Sequence, residues 1–410
     1  MINRLIYLVV LACFSSSPAC ASGLFLAKNN NQVISKQTQI VMARKGAKSI
    51  LTLTSDFQTK AGDVVLVVPL PMDVKNVKFT NVQYENIDEL NRYTSPRLIE
   101  YVDFDPCNPD AMKRPEIKTD QSFTTIDMDK AIGLVPTSLK ITAAHNFVSL
   151  SSKESVGIDI WLRKKHGFVL TEAQLAMLRP YIDAAMKFVI IEIQAVDDEA
   201  TQLMPVQISY ESDSFTVPFK IGALNAPSDQ AQAFTLYSLS SHGEVLPQNF
   251  KIKDMPVNID LPAKTVSEFD SFYGKLSHNI FTAHPEIMRK EYAWPMGSCK
   301  PCTTKPLSVA DLSSLGTFWY QLPKDGRIGL VAPFAAIYIT RFHAQYTVSD
   351  AGILPEILEL QESAERPKYQ TFYNIRYPIA ADLSACKGNF AAELARAERK
   401  ENDSFDMLVR

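Results

Sequence analysis

The chain has 410 residues, 46% of them hydrophobic, and a formal net charge of −3. That length predicts two or three domains with ample core. The near-neutral charge offers no basic face for nucleic acid and no acidic tail.

The N-terminus sets the expected compartment. Arg4 precedes a ten-residue apolar run, Leu5 to Phe14, followed by Ser15-Ser16-Ser17-Pro18 and the small-residue site Ala19-Cys20-Ala21. This is the anatomy of a secretory signal peptide with an A-x-A cleavage site. The run is too short to span a bilayer, which takes about 20 residues. Ser17-Pro18-Ala19 is a poor lead-in to a lipidated Cys20. Removing 21 of the 410 residues leaves 389, and the loss of Arg4 takes the charge to −4. No second transmembrane segment is expected: the best remaining run, Ile328 to Ile339, carries Pro333 and reads as a buried strand.

Strands open the rest of the chain. Gln37 to Ala43 and Ser49 to Thr54 flank Arg44-Lys45-Gly46-Ala47 and predict a hairpin. Val64 to Val68 is apolar on both faces, as in a central strand, and Pro69 and Pro71 are expected to end it. A short helix is predicted over Ile87 to Tyr93, and a polar, Pro-rich loop over Asp103 to Lys118. Lys140 to Leu150 reads as one strand. Ser151-x-x-Glu154 and Thr171-x-x-Gln174 are capping boxes for two helices, the first stopping at Gly167 and the second kinked or interrupted at Pro180. The apolar strand Phe188 to Val196 follows, then strands from Pro205 to Asp260, with Ser241-His242-Gly243-Glu244 as a hairpin turn.

Thr265-x-x-Glu268 predicts a helix with Phe269, Phe272, Tyr273, Leu276 and Ile280 on one face. Ser308-x-x-Asp311 caps another, with Leu307 and Leu312 as a hydrophobic staple and Gly316 as its stop. Strands around Ile337 to Tyr346, Ile357 to Leu360 and Tyr369 to Tyr377 come next, then a charged tail expected to form a loosely held helix.

The expected class is α+β, with β-rich mixed and antiparallel sheets and packed helices. The expected organisation is a signal peptide (1–21), an N-terminal β-rich lobe (22–150), a helical pair with a β-sheet lobe (151–262), a helix, Cys-x-x-Cys loop and C-terminal strands (263–380), and a charged tail (381–410).

Candidate chemistry is sparse. Four cysteines follow the leader: Cys107, Cys299, Cys302 and Cys386. An even number in an exported chain favours disulfides. Cys299-Lys-Pro-Cys302 lacks the helix N-terminus and preceding βαβ unit of a redox pair, and Cys107 and Cys386 are too isolated to complete a zinc site. Three pairings are open. Cys107–Cys386 with Cys299–Cys302 combines one long-range bridge with the local one and is the pairing expected here.

Asp103 and Asp105 lie in Tyr101-Val-Asp-Phe-Asp-Pro-Cys107, whose acid spacing resembles a calcium loop. The sixth position is Asn108 and the twelfth Arg114, where such a loop needs Gly and Glu. None of the six histidines forms a close pair at ligand spacing, and no nucleophile elbow, phosphate loop or dinucleotide fingerprint occurs. No cofactor or metal is therefore expected. Arg97, Glu100 and Arg341 read as buried ion-pairing residues. Tyr292 and Trp294, in Glu291-Tyr-Ala-Trp-Pro-Met-Gly-Ser-Cys-Lys-Pro-Cys302, could line a ligand surface, with packing over a disulfide as the equal alternative.

The chain resembles a bacterial family known as domain of unknown function 2330. The residues that carry the resemblance run from Gly23 to about Pro378: Val64 to Pro71, Tyr93 to Leu98, Tyr101 to Cys107, Ser152 to Ser155 with Trp161-Leu162, Leu178 to Ile182 with Lys187-Phe188, Glu291 to Cys302, Leu307 to Gly316 and Ile339 to His343. The resemblance implies an exported bacterial protein and transfers no catalytic residue. One departure is Ser22, where relatives often carry a cysteine.

Two readings of function follow. The first is a non-enzymatic exported protein that binds a protein partner or an envelope component. The alternative is an exported enzyme, most plausibly a hydrolase, with a site near the Asp103–Asp110 loop and Trp294–Cys302.

Overall fold

The computed structural model describes residues 23–102, 116–117, 123–125, 140–151, 157–196, 198–228, 230–296, 306–320, 337–377 and 390–409. Strands β1 (Leu24–Ala27), β2 (Gln37–Lys45), β3 (Lys48–Phe57) and β4 (Gly62–Leu70) open the described chain. β2 and β3 form the expected hairpin, antiparallel from Thr38 opposite Ser55 to Lys45 opposite Lys48. Its turn passes through Gly46 at φ 62°, a left-handed conformation that glycine adopts without a Cβ clash.

β4 is central, as its two apolar faces predict. It lies between β1 and β6 (Lys187–Ala195), and β6 in turn pairs with β5 (Asn146–Ser149), all antiparallel. Pro69 does not end β4; it stays in the strand opposite Phe188. β1 pairs no further than Val67, so at Pro69 one edge of β4 makes no ladder and a missing N–H is tolerated there.

A larger sheet of eleven strands, counted among the described residues, is built on the order β8-β9-β7-β2-β3. Here β7 is Gln232–Ser240, β8 Ile287–Pro295 and β9 Tyr338–Tyr346. β7 runs parallel to β2 and antiparallel to β9, so the sheet is mixed. It draws strands from all three lobes expected from the sequence. A smaller sheet pairs β10 (Phe372–Tyr377) in parallel with Arg97–Val102 and Ile259–Leu261.

Six α-helices are described: α1 (Tyr84–Thr94), α2 (Ile158–His166), α3 (Glu172–Asp183), α4 (Phe269–Ala283), α5 (Val309–Ser314) and α6 (Phe390–Val409). The boxes at Thr171/Gln174 and Ser308/Asp311 are both formed. α2 ends at Gly167 in the left-handed conformation, as expected. α3 runs unbroken through Pro180.

Three local expectations differ. Lys140 to Leu150 is two strands: Lys140–Thr142 pairs with Thr201–Leu203 in the large sheet, while β5 joins the four-stranded one. The Thr265 box is absent, because the chain makes a 3-10 turn over Ala263–Val266 and α4 starts at Phe269. The Ser241–Glu244 turn closes no hairpin. Both edges of β7 are already taken by β2 and β9, so Val245–Pro247 pairs instead with Ile357–Glu362. Ser151–Glu154 extends into residues outside the described set.

The large sheet is buried on both faces, and period-2 alternation divides its side chains between two cores. Ile40, Met42, Leu51, Leu53, Leu236 and Phe342 face β4 and β6. Val41, Ala43, Ile50, Tyr237, Leu239 and Ile339 face Ile87, Leu90 and Tyr93 of α1 and Leu312 of α5. A third core joins Phe269, Phe272, Tyr273 and Leu276 of α4 to Tyr373 and Ile375. The charged tail packs there too, with Phe405 of α6 stacked on Phe272 at 5.4 Å between centroids.

Candidate functional site

The densest polar chemistry among the described residues lies where β8 and β9 meet α1 and α4. The register between the two strands shifts at Glu291: Lys290 is opposite Phe342, yet Tyr292 is opposite Arg341. Glu291 is the extra residue of a β-bulge, and a bulge re-aims side chains. Strict alternation would put Glu291 and Tyr292 on opposite faces. Arg289 stands opposite His343, so alternation already sets Glu291 on the face of Arg341 and His343, and the bulge brings Tyr292 to that face as well.

All three side chains are fully buried. Arg341 Nε lies 2.7 Å from Glu291 Oε2, and His343 Nδ1 lies 3.0 Å from Oε1. The Tyr273 hydroxyl of α4 donates to the same Oε1. The ionised carboxylate only accepts, so Nδ1 of His343 carries the shared proton. The other end of the guanidinium closes on α1: Nη1 donates to the Asn91 carbonyl at 3.1 Å, Thr94 Oγ1 at 3.3 Å and Ser95 Oγ at 3.0 Å. Tyr237 covers the guanidinium at 5.4 Å and donates to Asn91 Oδ1.

The electrostatics follow from this geometry. Burial pushes the Glu291 carboxyl up. The Arg341 charge, with His343 and the Tyr273 hydroxyl, outweighs burial and holds it at about 2. Burial, with the Glu291 charge added, drives the Tyr273 hydroxyl well above its ordinary value. The Glu291 carboxylate is thus held ionised, the Tyr273 hydroxyl protonated and the Arg341 guanidinium charged. With the Glu291, Arg341 and His343 side chains fully buried, the arrangement braces two strands and two helices.

Arg97 is buried, its guanidinium on the Tyr93 carbonyl, and Glu100 accepts from the Tyr377 hydroxyl at 2.8 Å. Tyr292 is fully buried and Trp294 is 9% exposed, both on β8 rather than on a loop. Of the two alternatives, an open ligand surface or packing, neither side chain forms the surface; both pack in the core under α1 and α5. Asp103, Asp105, Cys107, Cys299, Cys302 and Cys386 lie outside the described residues.

A serine–histidine–glutamate group occurs at the surface. His242 Nδ1 lies 3.1 Å from Glu362 Oε2, and Ser241 Oγ lies 3.1 Å from the same Nδ1. A nucleophilic relay needs the carboxylate on one ring nitrogen and the serine on the other. Here both meet the same nitrogen, so the ring transmits no proton between them.

Two concavities flank α3. One, of ≈ 200 Å³, lies at its N-terminal end among Phe25, Asn31, Phe168, Thr171 and Asn225. The other, of ≈ 350 Å³, lies along its flank. Ala176, Met177 and Pro180 of α3 form one wall, and Ser349, Ala351 and Gly352 of the 3-10 turn Val348–Ile353 the other. Lys220 and Glu356 complete it, paired at 3.1 Å. Sequence reasoning missed this cleft: its residues are local in three short segments and carry no motif.

A family model described as an uncharacterized protein conserved in bacteria (DUF2330) matches residues 16–360. A comparison with curated proteins returns no match. Among solved structures, the crystal structure of baculovirus P35 is similar at 11% identity and a TM-score of 0.31, covering 56% of this chain and 74% of that one. A likeness of that degree carries neither fold nor function to this chain.

Proposed function

The chain belongs to the DUF2330 family of proteins conserved in bacteria, and we propose that it works as an exported, non-enzymatic binding protein whose ligand site is the cleft along α3. One contrast carries this reading. The buried acid–base network is sealed from solvent, whereas the larger open concavity has mostly apolar walls and a single ion pair. Ligand sites share that second character: apolar walls with a few polar groups for orientation. No helix among the described residues is long and apolar enough to cross a membrane. The apolar run at Leu5 to Phe14 with Ala19-Cys20-Ala21 supports export.

Thermal-shift screening of the purified protein against envelope extracts and small molecules tests the site. A ligand that stabilises the wild-type protein should fail to stabilise Gly352→Leu. A Cβ at Gly352 meets no atom within 4 Å, so a larger side chain there fills the cleft without strain. Turnover of ester or peptide substrates that Gly352→Leu abolishes would overturn the non-enzymatic reading. Export is tested by mass spectrometry of the mature protein, expected to begin at Ser22; an intact Met1 or a lipid on Cys20 would refute it. Non-reducing peptide mapping is expected to recover Cys299–Cys302 and Cys107–Cys386, and free thiols at Cys299 and Cys302 would overturn that pairing.

A further inference from the structure

We infer that the cleft along α3 takes a small zwitterion with an apolar side chain: an apolar α-amino acid, free or as a dipeptide. This rests on the binding reading above and names its ligand class. At ≈ 350 Å³ the cleft lies at the small end of ligand sites, which run about 300–1,000 Å³. Its floor is apolar, formed by the buried Met177 and Ala351.

Three polar poles surround that floor. The first is the Lys220 ammonium, whose side chain is 18% exposed and whose partner among the described residues is Glu356 Oε1 at 3.1 Å. An ammonium has three donors, so two are left for a ligand. The second is the Glu356 carboxylate. Its backbone is pinned because its carbonyl accepts from Phe219 N at 2.9 Å, Lys220 N at 3.1 Å and the Tyr181 hydroxyl at 2.8 Å. The carboxylate is therefore presented from a fixed point of the wall. The third pole is covalent in origin. Pro180 has no N–H, so the carbonyl of Ala176, four residues earlier in α3, lacks its regular i+4 donor. Both residues line the cleft.

A ligand carboxylate would take the free Lys220 donors. A ligand ammonium would take Glu356 and the Ala176 carbonyl. A singly charged ligand would add an uncompensated charge beside a neutral Lys220–Glu356 pair, whereas a zwitterion engages both poles and keeps the cleft neutral. An ion pair this accessible adds little to stability, so folding alone is a weak reason for its place in an otherwise apolar cleft.

The test is calorimetric titration of the full mature chain with leucine and leucyl-leucine. The controls are N-acetyl-leucine, which lacks the ammonium, leucinamide, which lacks the carboxylate, and isoamyl alcohol, which lacks both. We expect leucine or leucyl-leucine to bind at least about tenfold tighter than any control, the scale of one charge-assisted hydrogen bond. Lys220→Met and Glu356→Gln should each remove that preference, and Gly352→Leu should abolish binding with an unchanged melting temperature. If isoamyl alcohol binds as tightly as leucine and Lys220→Met changes nothing, the zwitterion is overturned and the cleft remains an apolar binding site. If no ligand distinguishes the wild-type protein from Gly352→Leu, the cleft reading falls as well.

Discussion

Arg341 Nε stands 2.7 Å from Glu291 Oε2, and neither side chain has any exposed surface. A buried pair adds little net stability over an apolar pair of the same shape, but removing one partner leaves a desolvated charge. Arg341→Met should therefore cost about 3–5 kcal/mol in denaturant unfolding, and also release the Asn91, Thr94 and Ser95 acceptors at the end of α1. The double variant Arg341→Met, Glu291→Met should recover a substantial part of that loss. A double variant as unstable as the two single losses combined would contradict the bracing role.

Two buried carboxyls give the protein opposite pH dependences. Burial raises Asp56 from 3.8 to about 6, against the backbone N–H groups of Gln37 and Lys36 and the Ser35 hydroxyl. Its folded form holds the proton more tightly, so its stabilisation is complete below 3.8 and is lost as pH rises through about 6. Glu291 is the reverse: held at about 2 against 4.5, its stabilisation is present above 4.5 and lost as pH falls through about 2. Each spans up to about 3 kcal/mol. Asp56→Asn keeps Oδ1 for the backbone donors and should flatten the decline between about pH 4 and pH 6. An unchanged slope in chemical unfolding across that window would refute the assignment.

Asn225 substitutes for a missing strand. Its side chain accepts from Phe25 N at 2.8 Å and donates to the Phe25 carbonyl and the Val33 carbonyl, each at 3.1 Å. It thereby closes the outer edge of β1. Asn225→Ala strands three buried backbone groups and should cost about 3 kcal/mol. Hydrogen exchange should show the Phe25 amide losing protection before the amides of β4.

Gly243 has no room for a side chain. A Cβ there would stand 2.3 Å from the Glu365 carbonyl oxygen and 2.6 Å from that of Ser363. Backbone must move to admit it, so Gly243→Ala should destabilise by about 1–3 kcal/mol. At about 2–4 °C per kcal/mol for a chain of this size, the melting temperature should fall by several degrees. An unchanged melting temperature would show that the turn yields freely.

Local signals in the sequence determined much of this protein. The hairpin of β2 and β3, the two-sided β4, the capping boxes at Thr171 and Ser308, and the apolar face of α4 each depend on residues a few positions apart. Period, cap and turn are short-range chemistry, so a single chain shows them. Only the tertiary structure decided which edges were free. β7 reads as one arm of a hairpin, yet its edges go to β2 and β9, segments roughly a hundred residues or more away in either direction. The bulge at Glu291 is likewise invisible in Glu291-Tyr-Ala-Trp294, because a bulge exists only in register with a partner strand, here Arg341 and Phe342. That long-range register is why Tyr292 and Trp294 turned inward, and why Glu291, read only as the first residue of an aromatic stretch, became the centre of the buried network. The cleft along α3 has the same origin: Pro180, Lys220 and Gly352 are unremarkable where they stand in the sequence and form a site only once packing brings their segments side by side.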